Sequence, residues 1–395
     1  MLQMVTFPLI GSGSGVYVDQ LSERLTERGH HVRVLCADHN PPQRRYPVEA
    51  ILFSNGENHV HDLDFNFPAF TSHPVSTQTT FGTLTDSQRQ AFCAVFRDKI
   101  ARAVNDFKPD LIHVHHGWVM GWVVADLGVP YVITLHGTEH LGFTRYPAYR
   151  EMALKALRGA RLIAALTPVM REEAISTYEI DPARFTIVTT GIDTRTYRPV
   201  EVDKEQALQQ HGLQDTGRPI VLFAGKLAWF KGVDMLLRAA ATYSRSEAKP
   251  ITLIAGDGDL RLSLEALANE LKLDSVHFLG HQDQQSMVSL YNIADLLAFP
   301  STTDFFPLVG LEALACGTPI VATDVGAFRQ VINDQVGYLV PPGNPAALAE
   351  QIIVALRGQL KARGRQAIAA HVQQHFSLDS MTSRYEEVYQ AALAT

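Results

Sequence analysis

Short apolar runs alternate with amphipathic helical patterns along most of the chain. The run LQMVTFPLI at residues 2–10 has the length and composition of a buried strand. The following VYVDQLSERLTERGH places Val18, Leu21 and Leu25 on one helical face. HVRVLCAD at residues 31–38 has the pattern of a second strand. A strand, a helix and a strand in this order predict a parallel sheet covered by helices.

Two series of strand-like runs follow, and they predict two α/β domains. The first series continues at residues 110–116, 129–137, 161–168 and 185–193. The second series lies at residues 219–226, 250–258, 276–281, 295–301, 318–326 and 337–344. Residues 200–218 are charged and weakly patterned, as in a linker. We therefore predict a first domain at residues 1–200 and a second at residues 201–375.

The C-terminal residues 376–395 form a separate segment with a helical pattern. Met381, Tyr385, Val388 and Tyr389 recur at helical spacing between residues 379 and 393. An apolar helical face must pack against something. We expect this helix to return to the first domain.

Composition narrows the functional classes. The chain has 395 residues, of which 46% are hydrophobic and 19% charged, and its net charge is −7. Bulk attraction to nucleic acid or to an anionic membrane is therefore not expected. No apolar run reaches the length of a membrane span, and the N-terminus has no basic leader. Cys36, Cys93 and Cys316 lack metal-type spacing, so we expect a reducing, cytoplasmic location. Peripheral membrane contact and the oligomeric state stay open.

A segment with two carboxylates, TTDFFPLVGLEALACG at residues 302–317, follows a predicted buried strand. Asp304 comes eight residues before Glu312, and a helical pattern begins at Leu308 after Pro307. The free N–H groups of a helix N-terminus attract anions. A ligand with a negative group and neighbouring hydroxyls, such as a nucleotide-sugar, suits this arrangement. The alternative is that Asp304 only caps the helix.

Glycines follow the first strand in the sequence GSGSG. Gly11, Gly13 and Gly15 let a phosphate or a sugar approach the backbone closely. With Asp38 after the second strand, the loop partly resembles a dinucleotide-binding fingerprint, but its third glycine comes one position early. A purely structural tight turn is the other alternative.

Several polar residues lie at predicted strand ends, where open parallel sheets bind ligands. His136 ends one strand of the first domain, and Lys226 and Lys231 follow the first strand of the second. Two lysines at such a place favour a diphosphate, although lysines of this kind are often simply solvated. Residues 40–85 are irregular, and they predict part of an acceptor site or a cap over a sheet edge.

Three histidines, His113, His115 and His116, lie close together in the predicted strand at residues 110–116. Such a group can suggest a metal site. No nearby carboxylate completes the ligand set, and His116 faces the other side of the strand. We therefore expect hydrogen-bonded polar groups and no metal.

Taken together, these motifs resemble the retaining GT-B glycosyltransferases of family 4. The resemblance covers nearly the whole chain, from GSGSGVYVDQLSERLTERGHHVRVL through LHGTEH, AGKLAWFKGVDMLL and IAGDGDL to LEALACGTPIVATDVG and GYLVPPGNPAAL. It implies an α/β fold of two Rossmann-like domains facing a cleft. The N-terminal domain would bind the acceptor and the C-terminal domain the nucleotide-sugar.

The resemblance also implies roles for individual residues. Lys226 and Lys231 would bind the diphosphate, Glu312 the ribose, and Asp304 and His136 the donor sugar. Four of these residues would act at the reaction centre, namely His136, Lys226, Lys231 and Asp304. Further donor contacts would come from Gly13, Ser14, Gly15, Gly225, Gly256, His281, Phe306, Leu308 and Val309. Acceptor contacts are expected from His116 and from Arg44 and Arg145, which lie near predicted strand ends of the first domain; the alternative is that these arginines are only solvated surface residues. No metal is expected, because cationic side chains would replace it, and no cofactor is expected, because the nucleotide-sugar is a co-substrate.

The chain departs from the family pattern near the donor. Lys226 stands where arginine is usual, so a forked contact becomes a point charge. Asp304 stands where glutamate is more frequent, and Gln330 likewise replaces a frequent glutamate. Pro307 replaces the glycine of Phe-Gly-Leu and removes one backbone donor. These changes affect the choice of sugar more than the reaction type.

The expected activity is retaining transfer of a hexose or N-acetylhexosamine from a nucleotide-sugar, chiefly a UDP-sugar, to a hydroxyl of a small anionic acceptor. Relatives of this motif set often use acceptors such as inositol phosphate or malate. The alternatives are a lipid or polysaccharide acceptor, a nucleotide-sugar epimerase on the same fold, and an NAD-linked oxidoreductase.

Overall fold

The computed structural model describes residues 1–56, 60–70, 79–303 and 308–394. The chain divides into two compact units, the first comprising Met1–Thr190 with Met381–Thr395 and the second Gly191–Ser380. The division falls at residues 190 and 191 instead of 200 and 201. Ile192 explains this position, because its N–H donates to the carbonyl of Phe376 (2.8 Å) and its carbonyl accepts from Leu378 (2.9 Å).

The first unit is built on a parallel sheet whose order is β3-β2-β1-β4-β5-β6-β7 in the described residues. Its central strands are buried on both faces, as parallel strands covered by helices must be. The strands are β1 (Leu2–Val5), β2 (Arg33–Asp38), β3 (Val48–Leu52), β4 (Ile112–His115), β5 (Tyr131–Thr134), β6 (Leu162–Ala165) and β7 (Phe185–Ile187).

Helices connect these strands. Val18, Leu21 and Leu25 are fully buried, as their spacing predicted. The helices of this part are α1 (Gly13–Glu27), α2 (Asp86–Phe107), α3 (Val119–Val124), α4 (Thr138–Arg145), α5 (Arg150–Gly159) and α6 (Pro168–Tyr178). Single turns of 3-10 helix occupy Pro147–Tyr149 and Pro182–Arg184.

The second unit repeats the plan with a parallel sheet of order β10-β9-β8-β11-β12-β13 in the described residues. Its strands are β8 (Ile220–Ala224), β9 (Ile251–Ala255), β10 (Val276–Gly280), β11 (Leu296–Phe299), β12 (Ile320–Thr323) and β13 (Gly337–Val340). Its helices are α7 (Lys204–Gln209), α8 (Val233–Tyr243), α9 (Arg261–Glu270), α10 (Gln284–Ile293), α11 (Leu308–Ala315), α12 (Phe328–Val331), α13 (Pro345–Arg357) and α14 (Leu360–His375). A 3-10 turn occupies Trp229–Lys231. The predicted α/β class is confirmed in both units.

The C-terminal helix α15 (Leu378–Ala394) contributes to the core of the first unit from Met381 onwards. Tyr385 and Tyr389 are buried, and their hydroxyls enter a polar cluster beneath the sheet's carboxyl ends. At the helix surface, Glu386 accepts hydrogen bonds from Arg28 (2.6 Å) and His30 (2.8 Å). The helical spacing predicted the buried face but not its polar partners.

Several elements escaped the sequence analysis. Strand β3 lies in the region interpreted as irregular, because it is a half-buried edge strand with mixed polarity. Helix α3 is apolar nearly all round, so it shows no periodicity. Helix α7 lies within the predicted linker, and α4 and α14 were also missed. Among the described residues, none of the helices is both long enough and apolar enough to cross a membrane.

Candidate active site

Each sheet has one point at which the strand order reverses direction. In the first unit this point lies between β1 and β4, and in the second between β8 and β11. Loops leave the carboxyl ends of such neighbouring strands in opposite directions and open a crevice, which is where open α/β sheets bind ligands. The glycine loop follows β1, His116 follows β4, and Lys226 and Lys231 follow β8. The chain order therefore places these predicted site residues at the two reversal points.

The glycine loop of the first unit is held by Ser12. Its hydroxyl donates to the carbonyl of Pro8 (2.6 Å) and accepts from the Gly15 N–H (2.9 Å), which caps α1. Gly13, Ser14 and Gly15 lie in the first helical turn, so the helix begins earlier than its predicted start after the glycines. A Cβ on Gly15 would lie 1.9 Å from the Pro8 carbonyl oxygen, whereas one on Gly13 would meet nothing within 4 Å.

His136 follows β5, and the next residues tie its backbone in place. Gly137 has a φ of 97°, which favours glycine. The Glu139 carboxylate accepts from the His136 backbone N–H (2.7 Å) and pairs with His116 Nδ1 (3.2 Å). Glu139 is fully buried, and burial alone would raise its pKa. The contact with His116 outweighs burial and lowers the pKa of Glu139 to about 2.

Buried polar atoms without partners gather near the carboxyl ends of β1 and β4. Thr6 Oγ1, His116 Nε2 and Trp118 Nε1 have no hydrogen-bond partner among the described residues, and all three side chains are at most 2% exposed. An unpaired buried polar group costs about 1–3 kcal/mol. This cost falls at the ends of β1 and β4, where open α/β sheets bind ligands.

The other two histidines of the predicted cluster have partners. His113 contacts Tyr389 (2.8 Å) and Thr134 (2.7 Å), and His115 contacts His136 and Gln3 (3.0 Å each). Within the described residues, no group of three or more His, Cys, Asp or Glu side chains is arranged to hold a metal ion.

The two arginines predicted to bind the acceptor have different surroundings. Arg44 forms a forked contact with Asp19 of α1, through Nε (2.7 Å) and Nη2 (2.8 Å). Arg145 is exposed at the C-terminus of α4 and has no ion-pair partner among the described residues. Arg145 thus has a cationic head that a ligand can reach without breaking a pair.

Glycines at the carboxyl ends of β8 and β9 bring two loops of the second unit into contact. Gly225 has a φ of 144° and Gly256 a φ of 149°. A Cβ on Gly256 would lie 1.9 Å from the Gly225 carbonyl oxygen. The Gly256 N–H donates to the carbonyl of Gly280 (2.8 Å), and the next residue, His281, is exposed. The predicted donor residues Gly225, Gly256 and His281 therefore border one edge of this sheet.

Lys226 and Lys231 lie on the loop after β8. Lys226 is exposed, and Lys231 is half-buried with Nζ 5.0 Å from the centre of the Phe299 ring. The Thr302 N–H donates to the carbonyl of Phe230 (2.8 Å), which binds this loop to the segment after β11. The second lysine is thus held beside the start of the segment with two carboxylates.

The described part of that segment places Glu312 on α11. Its carboxylate accepts from the hydroxyl of Tyr291 (2.7 Å) and hydrogen-bonds Tyr197. Burial is the main influence, and it raises the pKa of Glu312 above its ordinary value despite these contacts. Leu308, the first residue of the helix, is 41% exposed, and Val309 is half-buried. Asp304, Phe306 and Pro307 lie outside the described residues.

Comparison with known proteins identifies the family. Residues 203–372 match the family model Glycosyl transferases group 1, and residues 11–196 match Glycosyltransferase Family 4. A D-inositol 3-phosphate glycosyltransferase from Gordonia bronchialis is 34% identical over 100% of this chain and 89% of its own length. The chain belongs to the family 4 glycosyltransferases. A protein of the same name from Salinispora tropica is 32% identical, over 100% of this glycosyltransferase and 85% of the relative.

Solved structures confirm the fold. Sucrose-phosphate synthase from Thermosynechococcus elongatus has a TM-score of 0.70 and 23% identity, over 100% of this chain and 99% of its own. HepE of Anabaena in complex with UDP has a TM-score of 0.75 and 20% identity, over 99% of each chain. The glycosyltransferase therefore has the predicted GT-B fold of two Rossmann-like domains.

The sequence analysis missed several residues around the first unit's site. Glu139 could have been predicted from the sequence, because an acidic residue three positions after His136 in LHGTEH can accept a hydrogen bond from the backbone of the turn. Thr6, Trp118 and Gln3 gave no signal, because a threonine, a tryptophan and a glutamine among apolar residues are typical of any strand or helix.

The two glycines of α1 provide a matched test of the glycine loop. We expect Gly15→Ala to cost about 1–3 kcal/mol of unfolding free energy, because the new Cβ collides with the Pro8 carbonyl. Gly13→Ala should stabilise the protein by about 0.4–1 kcal/mol, since its Cβ meets nothing and the unfolded chain loses conformational freedom. Urea unfolding measures both, and equal effects would contradict the close approach at Gly15.

Glu139 predicts a pH dependence of stability. Its pKa is depressed from 4.5 to about 2 in the folded protein, so its contribution is present above about pH 4.5 and is lost as the pH falls towards 2. We expect the stability deficit of Glu139→Gln to shrink between about pH 6 and pH 3.5. The exposed Glu151→Gln serves as the control. A deficit for Glu139→Gln that is constant over this range would contradict the depressed pKa.

Proposed function

We propose that this glycosyltransferase moves a hexose or N-acetylhexosamine from a UDP-sugar to a hydroxyl of a small anionic acceptor, with retention of configuration and without a metal ion. The proposal of a nucleotide-sugar donor is supported chiefly by the position of Lys226 and Lys231 after β8, where the strand order of the second unit reverses. HepE, which shares the fold, has been solved with UDP and with UDP-glucose.

The second unit offers groups suited to each part of a nucleotide-sugar. Lys226 and Lys231 supply positive charge for a diphosphate. The strained glycines Gly225 and Gly256 leave backbone free of side chains beside them. The Glu312 carboxylate is anchored by Tyr291, so its orientation is set before a ribose binds. Leu308 and Val309 begin α11, whose first N–H groups suit an anionic ligand.

The proposed chemistry balances without a protein nucleophile. The bond between C1 of the sugar and the diphosphate oxygen breaks, and C1 passes through an oxocarbenium-like state. The acceptor oxygen bonds to C1 from the face that the diphosphate leaves, and a diphosphate oxygen takes the hydroxyl proton. Lys226 and Lys231 stabilise the charge that grows on the leaving group. Asp304 and His136 would hold the sugar, as the family resemblance implies.

The proposal of a small anionic acceptor is supported by polar and charged groups of the first unit. His116 Nε2, Trp118 Nε1 and Thr6 Oγ1 are buried polar atoms without partners among the described residues. Arg145 adds an exposed cation on α4, whereas Arg44 is already paired with Asp19. Relatives at 32–34% identity are named for D-inositol 3-phosphate. A phosphorylated polyol therefore suits these groups better than a neutral acceptor does.

Alanine substitutions of the two lysines test the donor site. Lys226→Ala and Lys231→Ala should each lower kcat for sugar transfer by at least about ten-fold, because each removes charge stabilisation of the leaving diphosphate. Arg238→Ala, an exposed cation on α8, is the control and should change little. EDTA should leave wild-type activity unchanged. Turnover within about three-fold of wild type in both lysine variants would contradict the proposal.

A thermal-shift panel with UDP, GDP, ADP, dTDP and NAD identifies the donor base, because ligands of the native state raise Tm by mass action. We expect the largest shift with UDP. A shift with NAD alone would overturn the proposal, and conversion of the UDP-sugar without any acceptor would show an epimerase. The anomeric configuration of the product, measured by NMR, tests retention.

The acceptor site is tested with D-inositol 3-phosphate and unphosphorylated inositol. Arg145→Gln should raise the KM for the phosphorylated acceptor by about ten-fold, the scale of one lost charge-assisted contact. Arg158→Gln, an exposed arginine at the end of α5, is the control. An unchanged KM in Arg145→Gln would exclude this contact. Activity that requires lipid vesicles would show the alternative lipid acceptor.

A further inference from the structure

A chain of buried side chains leads from the C-terminal helix to His136. Gln3 Nε2 lies 3.3 Å from the Tyr389 hydroxyl, and Gln3 Oε1 lies 3.0 Å from His115 Nε2. His115 Nδ1 then lies 3.0 Å from His136 Nε2. All four residues belong to the first unit. None of the sequence motifs predicted this connection.

The two histidines in this series of hydrogen bonds, His115 and His136, are neutral at physiological pH. Burial is the main cause that lowers the pKa of His115 and of His136 well below the ordinary value. A neutral imidazole has one nitrogen that donates and one that accepts. Each contact therefore has a direction, and the direction of one contact determines the next.

The side-chain amide of Gln3 determines which group donates and which accepts in each of these hydrogen bonds. Its Nε2 also lies 3.3 Å from Met1 Sδ, and a thioether sulfur can only accept. The amide nitrogen therefore faces Met1 and Tyr389, and the amide oxygen faces His115. His115 must donate from Nε2, so its Nδ1 accepts, and His136 must donate from Nε2.

The other branch of the cluster is consistent with this direction. Tyr389 accepts from Gln3 and is left to donate to His113 Nδ1 (2.8 Å). His113 then donates from Nε2 to the Thr134 hydroxyl (2.7 Å). Thr134 in turn donates to Tyr385 (2.8 Å). Each of these three contacts joins one donor to one acceptor, and the branch continues from Tyr385 to the Tyr17 hydroxyl (2.7 Å).

We propose that Gln3, His115 and Tyr389 are positioning residues that hold His136 as the Nε2–H tautomer, with its bare Nδ1 presented to a hydroxyl of the bound substrate. Nδ1 has no hydrogen-bond partner among the described residues. The Glu139 carboxylate holds the backbone of His136 in place by accepting a hydrogen bond from its N–H. The role of the tautomer in sugar transfer rests on the proposed function, whereas the tautomer itself does not. Tyr389 makes the C-terminal helix a part of this arrangement.

The tautomer can be measured without any activity. The protein is labelled with 15N-histidine, and a long-range 1H–15N spectrum at neutral pH distinguishes a protonated ring nitrogen from a bare one. The His136→Gln spectrum assigns the resonances of His136. We expect Nε2 to carry the proton in the wild-type protein. A proton on Nδ1 would overturn the proposal.

Variants then test which residues set the tautomer. Gln3→Leu and His115→Phe should remove the single tautomer and lower kcat by about ten-fold, the scale on which orienting partners of histidines act. Gln3→Glu keeps an acceptor facing His115, so it should preserve the Nε2–H signal and serves as the conservative variant. Tyr385→Phe, on the same helix but outside the chain to His136, is the matched control and should leave the signal unchanged.

The outcomes separate this proposal from the proposed function. Unchanged tautomer signals in Gln3→Leu and His115→Phe, both folded by circular dichroism, would overturn the positioning role even if UDP-sugar transfer is found. A lost tautomer with unchanged kcat would overturn its catalytic part. If no sugar transfer is found, the spectra still decide whether Gln3 orients His136.

Discussion

Parallel strands that are buried on both faces leave only their ends for polar chemistry. Helices cover the two sheets, and the central strands β1, β4, β8 and β11 are buried along their length. The reversal of strand order opens a crevice at the carboxyl ends and concentrates the loops there. The glycine loop, His116 and His136 lie on such loops in the first unit, and the two lysines lie on one in the second. The constraint on each sheet therefore determines where the candidate residues of that unit lie.

The polar groups of the two units differ in their exposure to water. In the second unit, the cations remain near water, and Lys231 rests its ammonium against aromatic rings. In the first unit, the polar groups are buried, and burial keeps His113, His115 and His136 neutral. Buried polar groups must be paired to avoid a cost of about 1–3 kcal/mol each. The result is an ordered network that orients His136 and a few unpaired atoms that suit a ligand.

The C-terminal helix has both packing and polar roles. Its apolar face completes the core of the first unit, and Tyr385 and Tyr389 extend hydroxyls into the buried network. The network connects residues that are 386 positions apart in sequence, Gln3 and Tyr389. A helix at the end of the chain thereby influences the orientation of a histidine at the site. Short-range sequence patterns carry no trace of such a link.

Local pattern alone determined the class of fold, most strands and the family. The spacing of Val18, Leu21 and Leu25 predicted a buried face because helical periodicity depends only on neighbouring residues. Strand β3 was missed because it is a half-buried edge strand of mixed polarity, and helix α3 was missed because it is buried on nearly all sides. Neither shows a hydrophobic period. The glycine, histidine and lysine motifs likewise indicated where the site lies, because strand ends can be inferred from the chain order.

Only the tertiary structure decided what the side chains of the site contact. It paired Arg44 with Asp19, Glu139 with His116, and Glu312 with Tyr291. It also left Leu308 exposed while it buried Leu311 of the same helix. The physical reason is that pairing and exposure depend on elements distant in sequence, and hydrogen-bond partners of this kind follow no local period. The sequence thus determined which residues reach the carboxyl ends of the strands, and the packing of distant elements determined their partners and protonation.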